Sequence, residues 1–159
     1  MWPYTEREID FLGPAQPRGE LAARTLAMPA DTNPSGDIFG GWIMSLMDSA
    51  GAITATRRAE GRVVTASVSN IAFLQPVKVG DVVCCYADVI RVGRSSMTLC
   101  VEVWVLRQGR GRRVKVTAAE FTFVALERRA GRARLPGAAR RRRTMPAASC
   151  RLSPADPRP

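Results

Sequence analysis

From Trp42 to Arg57 the chain reads as a helix that is apolar on nearly every side. Trp42, Ile43, Met44, Leu46, Met47, Ala50, Ala52, Ile53 and Ala55 are spread around the whole turn, and a helix apolar all round is a buried one. Gly61 breaks the pattern, and four β-rich runs follow. Arg62 to Gln75 is closed by Pro76, and Asp81 to Val92 ends at Gly93. Ser96 to Arg107 precedes Gly109 and Gly111, and Arg113 to Leu126 completes the set. The links Gly93–Ser95 and Gln108–Arg112 predict hairpins. Ahead of the helix, Glu20 to Met28 is a short strand candidate ending before Pro29. The predicted order is one strand, one long helix, then a four-strand antiparallel meander. That is an α+β arrangement in which an antiparallel sheet curves around a single central helix. Exposed sheet edges and a core built on one helix predict self-association.

The chain has 159 residues, enough for one ordinary domain. Its formal charge of +10 is unevenly placed. Met1 to Glu127 holds 14 basic and 13 acidic residues, whereas Arg128 to Pro159 holds ten Arg and one Asp. The basicity therefore belongs to the last segment. Residues 128–159, rich in Arg, Ala and Pro with the run Arg140–Arg143, predict a disordered tail. Such a tail is either simply solvated or makes weak polyanion contacts. Residues 1–19 carry Pro3, Gly13, Pro14, Pro17 and Gly19 and predict a loose N-terminal arm. The folded domain is expected over residues 20–127.

The chain contains no His. That removes Ser–His–Asp and Cys–His nucleophile pairs, HExxH metal helices and His proton shuttles. Catalysis has to run on carboxylates, hydroxyls, thiols, amides or backbone dipoles. The cysteines are Cys84, Cys85, Cys100 and Cys150, with no CxxC spacing, so no metal site is expected. Three of them read as small core residues of a reduced, cytoplasmic protein. The start carries Glu6, Glu8 and Asp10 rather than a basic signal segment. The longest apolar stretch is interrupted by Asp48 and by Arg57–Arg58, so no membrane span is expected.

The segment Asn33–Asp48, NPSGDIFGGWIMSLMD, concentrates the candidate chemistry. Asp37 lies just before the Gly40–Gly41 pair that opens the helix. Helix starts leave free N–H groups and partial positive charge, and glycine admits close approach of another molecule. The arrangement suits an oxyanion held on backbone N–H beside a carboxylate that attacks or activates water. It equally suits Asp37 as an ordinary N-cap. Asp48 is the only charge between Ile38 and Thr56. Burying it is costly unless it is paired, so it either lines a cavity or is hydrogen-bonded to a neighbouring segment. Gly93, Arg94, Ser95 and Ser96 form a hairpin that could bind phosphate or be only a turn. The hairpin lacks Walker spacing, and GDIFGG is not GxGxxG.

Four blocks in order, MPADTNPSGDIFGGWIMSLMDSAGA (Met28–Ala52), GRVVTASV (Gly61–Val68), VGDVVCCYADV (Val79–Val89) and VGRSSMTLCVEVWV (Val92–Val105), closely resemble the bacterial YciA-type acyl-CoA thioesterases. The resemblance runs roughly from Glu20 to Glu127. It implies the hotdog fold, an antiparallel sheet wrapped around one long helix. It also implies hydrolysis of acyl-CoA thioesters to free acid and coenzyme A, without a cofactor. The carboxylate of the GD(I/V)FGG loop falls on Asp37 as the catalytic residue, and the helix-start N–H near Gly41 is expected to polarise the thioester carbonyl. Asn33, Gly40 and Asp48 are expected to face substrate. Gly93, Arg94, Ser95 and Ser96 are expected near the coenzyme's phosphates. Sites form at a dimer interface in the family, and dimers often assemble into hexamers, so a trimer of dimers is implied. Related eukaryotic enzymes carry His where this chain has Phe39, so a histidine-free chain fits the bacterial branch. The tail after Glu127 has no counterpart in the resemblance.

Three other classes compete. A non-catalytic acyl-CoA binder on the same fold has no need of a carboxylate beside the thioester. A dehydratase acting on 3-hydroxyacyl thioesters usually wants His. A nucleic-acid partner is suggested only by total charge, and residues 1–127 lack a basic face bearing aromatics.

Overall fold

The computed structural model describes residues 16–108, 110–127 and 132–136. The strands are β1 (Glu20–Leu26), β2 (Val63–Phe73), β3 (Val82–Val92), β4 (Ser96–Arg107) and β5 (Arg110–Ala125). One long helix, α1 (Gly40–Ala59), separates β1 from β2, and a single 3-10 turn covers Pro29–Asp31. All strand pairs are antiparallel, in the spatial order β1-β3-β4-β5-β2.

The elements expected from the sequence are present, with three corrections. The last four strands do not form one meander. Only β3, β4 and β5 are joined by hairpins, while β2 crosses to pair with β5 at the far edge. Residues 74–81 supply a connection long enough to let β2 leave β3. The link after β4 is also tighter than expected, with β5 beginning at Arg110.

The second correction concerns the helix. Only Ile43, Met47, Ala50, Gly51, Thr54 and Ala55 are buried, all toward the sheet. Met44 and Ile53 on the remaining surface are exposed, as are Val64 and Val68 on the neighbouring edge strand β2. Trp42, Leu46 and Ala52 are partly buried against the same core, so Met44 and Ile53 are the apolar residues of the pattern that the chain leaves exposed.

The core lies between α1 and the sheet's concave face, where Met47, Ala50 and Ile43 meet Val83, Cys85, Leu99, Val101, Phe121 and Phe123. Gly51 is where helix and sheet come closest. A Cβ there would stand 2.9 Å from the Phe123 ring and 3.5 Å from Val101. The strand period of two sends Cys85 into this core and Cys84 to the opposite face with Tyr86 and Trp104. Burial, and then the neighbouring Cys84, push the Cys85 thiol up to about 12. On that outer face Glu102 is 6% exposed. It accepts from Trp104 Nε1 (2.9 Å), Lys115 Nζ (2.8 Å) and the Arg18 backbone N–H (3.1 Å).

The third correction concerns the domain edges. Arg18 donates to Asp88 at 2.6 Å, so the described end of the N-terminal arm lies against β3. Within the expected tail, residues 132–136 pack back onto the domain. Ala133 N–H donates to Ala125 O and Leu135 N–H to Arg94 O, each at 2.9 Å. Arg58 donates to Pro136 O at 2.9 Å, and Leu135 is only 3% exposed. One apolar side chain with backbone partners suffices to anchor five residues, and average composition does not register it. The rest of the expected arm and tail lies outside the described residues.

Candidate active site

The loop before α1 is shaped by Asn33. Its side-chain oxygen accepts the N–H of Ser35 (2.9 Å) and of Asp37 (3.1 Å), an Asx-type turn. Its backbone N–H donates to Asp37 O at 2.7 Å, and its own carbonyl accepts from Gly36 at 3.0 Å. Asn33 thus organises the loop that presents Asp37. The loop is stitched outward by Phe39 N–H to Asp31 O and Ile38 N–H to Val77 O, both 2.9 Å.

Asp37 does not cap the helix. The N-cap is Phe39, with no side-chain cap, and Asp37 sits two residues earlier. Its carboxylate, 23% exposed, pairs with the ammonium of Lys78. The N–H groups of Gly40 and Gly41 have no partner among the described residues, because the first turn begins with the bonds of Trp42 and Ile43 to Phe39 O. A Cβ at Gly40 would press to 3.3 Å on Phe73, whereas Gly41 faces open space. A carboxylate, two free N–H donors and the positive end of a 20-residue helix therefore lie within residues 37–41 of the chain.

Lys78 carried no signal as a site residue except its rarity, being one of two lysines in an arginine-rich chain. It is held by a buried network. Asp81, fully buried, accepts the Lys78 N–H (3.0 Å), the Gln108 N–H (3.3 Å) and the Arg107 guanidinium. Arg107 also donates to Pro76 O and Gln75 Oε1, each at 2.9 Å.

Asp48 is half-buried on α1 and accepts from the Thr65 hydroxyl of β2. Within one subunit this is the hydrogen-bonded alternative, on the side where the apolar helix face stays open.

The Gly93–Ser96 hairpin is a tight turn closed by Gly93 N–H to Ser96 O at 2.7 Å, with Arg94 exposed. It does not meet Asp37 within the subunit. The Asp37 loop adjoins Val77, before β3 begins, and the hairpin follows that strand's last residue, Val92. An 11-residue strand places them about 35 Å apart. The hairpin is tied through Leu135 and Pro136 to Arg58, at the C-terminal end of α1. Each subunit thus carries one half of the expected site at each end of its helix. No group of side chains suited to a metal ion occurs among the described residues, and no helix there is long and apolar enough to cross a membrane.

A lone helix cradled by one antiparallel sheet is the hotdog arrangement of thioester hydrolases. Residues 35–111 match the thioesterase superfamily. The acyl-CoA thioester hydrolase YciA of Salmonella typhimurium is 55% identical over 114 residues, covering 70% of this chain and 86% of that protein. A hexameric thioesterase from Yersinia pestis superposes with a TM-score of 0.72 at 55% identity, over 77% of this chain and 99% of that one. A hexameric broad-specificity acyl-coenzyme A thioesterase superposes at 0.71 with 53% identity, over 77% and 84%. The chain belongs to the YciA-type acyl-CoA thioester hydrolases of this superfamily.

Proposed function

We propose that the chain hydrolyses acyl-CoA thioesters to a free acid and coenzyme A, with Asp37 as the catalytic carboxylate. The observation that carries this reading is the uncapped helix start, where Asp37 stands beside the free N–H groups of Gly40 and Gly41. A thioester oxygen placed over Gly41 receives those N–H groups, and they hold the negative charge that grows on it as the carbonyl is attacked. Asp37 either adds to the carbonyl itself or takes the proton of an attacking water. Collapse of the tetrahedral species breaks the C–S bond and releases the thiol. Coenzyme A is substrate and product, so no cofactor enters. An acyl-CoA substrate and the free, buried thiols of Cys84 and Cys85 support a cytoplasmic setting.

The working unit is a dimer, assembled further as a trimer of dimers. Two copies related by a two-fold axis, joined through β2 and the open face of α1, would bring one subunit's helix start toward its partner's Arg94 hairpin. The exposed Met44, Ile53, Val64 and Val68 support this face as the contact. There Asp48 would border the shared cleft.

The test is Asp37→Asn, assayed on acyl-CoAs from acetyl to palmitoyl. Loss of a base or nucleophile removes turnover by about 10²-fold or more, with coenzyme A binding retained. Turnover near the wild type would refute the assignment. Single-turnover hydrolysis in isotopically labelled water identifies the direct route where water opens the mixed anhydride at the Asp37 carbonyl: the first product then carries an unlabelled Asp37 oxygen and Asp37 gains the label, whereas general-base attack always puts the label in the product.

A further inference from the structure

We infer that Lys78 is a positioning residue for Asp37, presented by the buried Asp81–Arg107 strut. The inference rests on the reading of Asp37 as the catalytic carboxylate. Asp37 has no capping duty, and Lys78 is its only side-chain partner among the described residues. A carboxylate on a half-exposed loop otherwise samples several side-chain rotamers. The ammonium selects one, and only a fixed carboxylate keeps its reacting oxygen aligned with a thioester over Gly41.

The ammonium is itself placed by backbone. Lys78 lies in the segment 74–81, whose turn is pinned at both ends. Val77 O accepts the Ile38 N–H at 2.9 Å, which registers this segment directly against the Asp37 loop. The next N–H, that of Lys78, donates to Asp81, which is held in turn by Arg107. Two loops 41 residues apart in sequence are thereby locked together with a cation on one and a carboxylate on the other.

The pair is built for alignment rather than stability. Lys78 is 55% exposed and Asp37 23% exposed, so water and salt screen their attraction and its loss leaves the fold intact. The single charge-to-charge contact also makes few geometric demands on the donor, so an arginine can serve in its place.

The experiment is a double-mutant cycle on the full chain with acyl-CoA as the probe. Lys78→Met is expected to lower kcat about tenfold with KM within about twofold, and with thermal stability unchanged. Lys78→Arg is expected to recover kcat to within about threefold of the wild type. In the Asp37→Asn background, Lys78→Met is expected to change the residual rate by less than about twofold, because the group it positions is gone. A kcat for Lys78→Met equal to wild type, or an equal loss in both backgrounds, overturns the inference. Full turnover in Asp37→Asn alone instead overturns the assignment beneath it, so the two failures are distinct.

Discussion

Replacing Arg107 by Met removes the cation from a carboxylate that has no access to water. Asp81 is fully buried, and the Arg107 side chain is 29% exposed. Removing one partner of a buried ion pair typically costs about 3–5 kcal/mol, because the other charge is left uncompensated. Two features of this site lower that figure. Asp81 keeps two backbone donors, from Lys78 and Gln108, and Arg107 lies partly at the surface, where solvent can follow the vacated guanidinium. Against that, Pro76 O and Gln75 Oε1 lose their donor as well. The net expectation is a loss of about 2–4 kcal/mol, or roughly 10 °C in Tm for a domain of this size.

The assay is guanidinium unfolding at one fixed protein concentration, since association contributes to apparent stability. The midpoint should fall with the slope unchanged. Adding Asp81→Asn to Arg107→Met should recover part of the loss, because the carboxamide carries no charge, although its single acceptor oxygen keeps only one of the Lys78 and Gln108 N–H donors. A loss below about 1 kcal/mol, or no recovery in the double variant, would refute the claim that a buried charge holds the segment 74–81.

Two further outcomes are expected. Arg94→Ala should raise KM for acyl-CoA roughly tenfold at low salt while kcat changes little, with the effect shrinking as salt rises; initial-rate kinetics at two ionic strengths check this. The Cys85 thiol, raised to about 12, stays protonated in the fold after its unfolded counterpart has ionised, so stability should fall as pH climbs above about 9. Thermal melts across that range check the sign.

Much of this architecture was legible in the sequence because burial and period are local signals. Trp42 to Arg57 announced the helix, and Ser96 to Arg107 gave a strand with the observed bounds. The loop proposed as the site was legible for the same reason, since Asp37, Gly40 and Gly41 are neighbours in the chain. What stayed hidden was pairwise and distant. Nothing in residues 62–75 says that β2 joins β5 rather than β3. The all-round apolar pattern of α1 does not say whether the burying surface is the chain's own or another subunit's. Lys78 reaches Asp37 through contacts between two loops, and neither loop carries a motif for the encounter. The choice between N-cap and free carboxylate turned on where the first helical turn begins, a matter of two residues that periodicity does not resolve.

The segment beyond β5 divides by a physical criterion that composition averages away. Over residues 128–159 the large apolar side chains are too sparse to offset ordering entropy. Over residues 132–136 alone, Leu135 is buried, two backbone hydrogen bonds tie the chain to Ala125 and Arg94, and the Arg58 guanidinium donates to Pro136 O. Under reducing conditions, which remove the Cys100 disulfide from the comparison, a chain ending at Pro136 should therefore match the full-length protein in kcat and in unfolding midpoint. One ending at Glu127 should lose about 2–4 kcal/mol, from exposing the Leu135 contact and its hydrogen bonds. Its KM should also rise, because Arg94 O loses the bond that steadies the hairpin. The last 23 residues carry further Arg, including Arg140–Arg143. Their charge should act only by steering the anionic substrate, seen as higher kcat/KM at low salt and erased at high salt. Comparing the three chain lengths at both salts separates the effects. If the chain ending at Glu127 proves as stable as the full length, the contact of residues 132–136 does not anchor the hairpin. If the chain ending at Pro136 loses kcat at both salts, catalysis depends on residues beyond the domain drawn here.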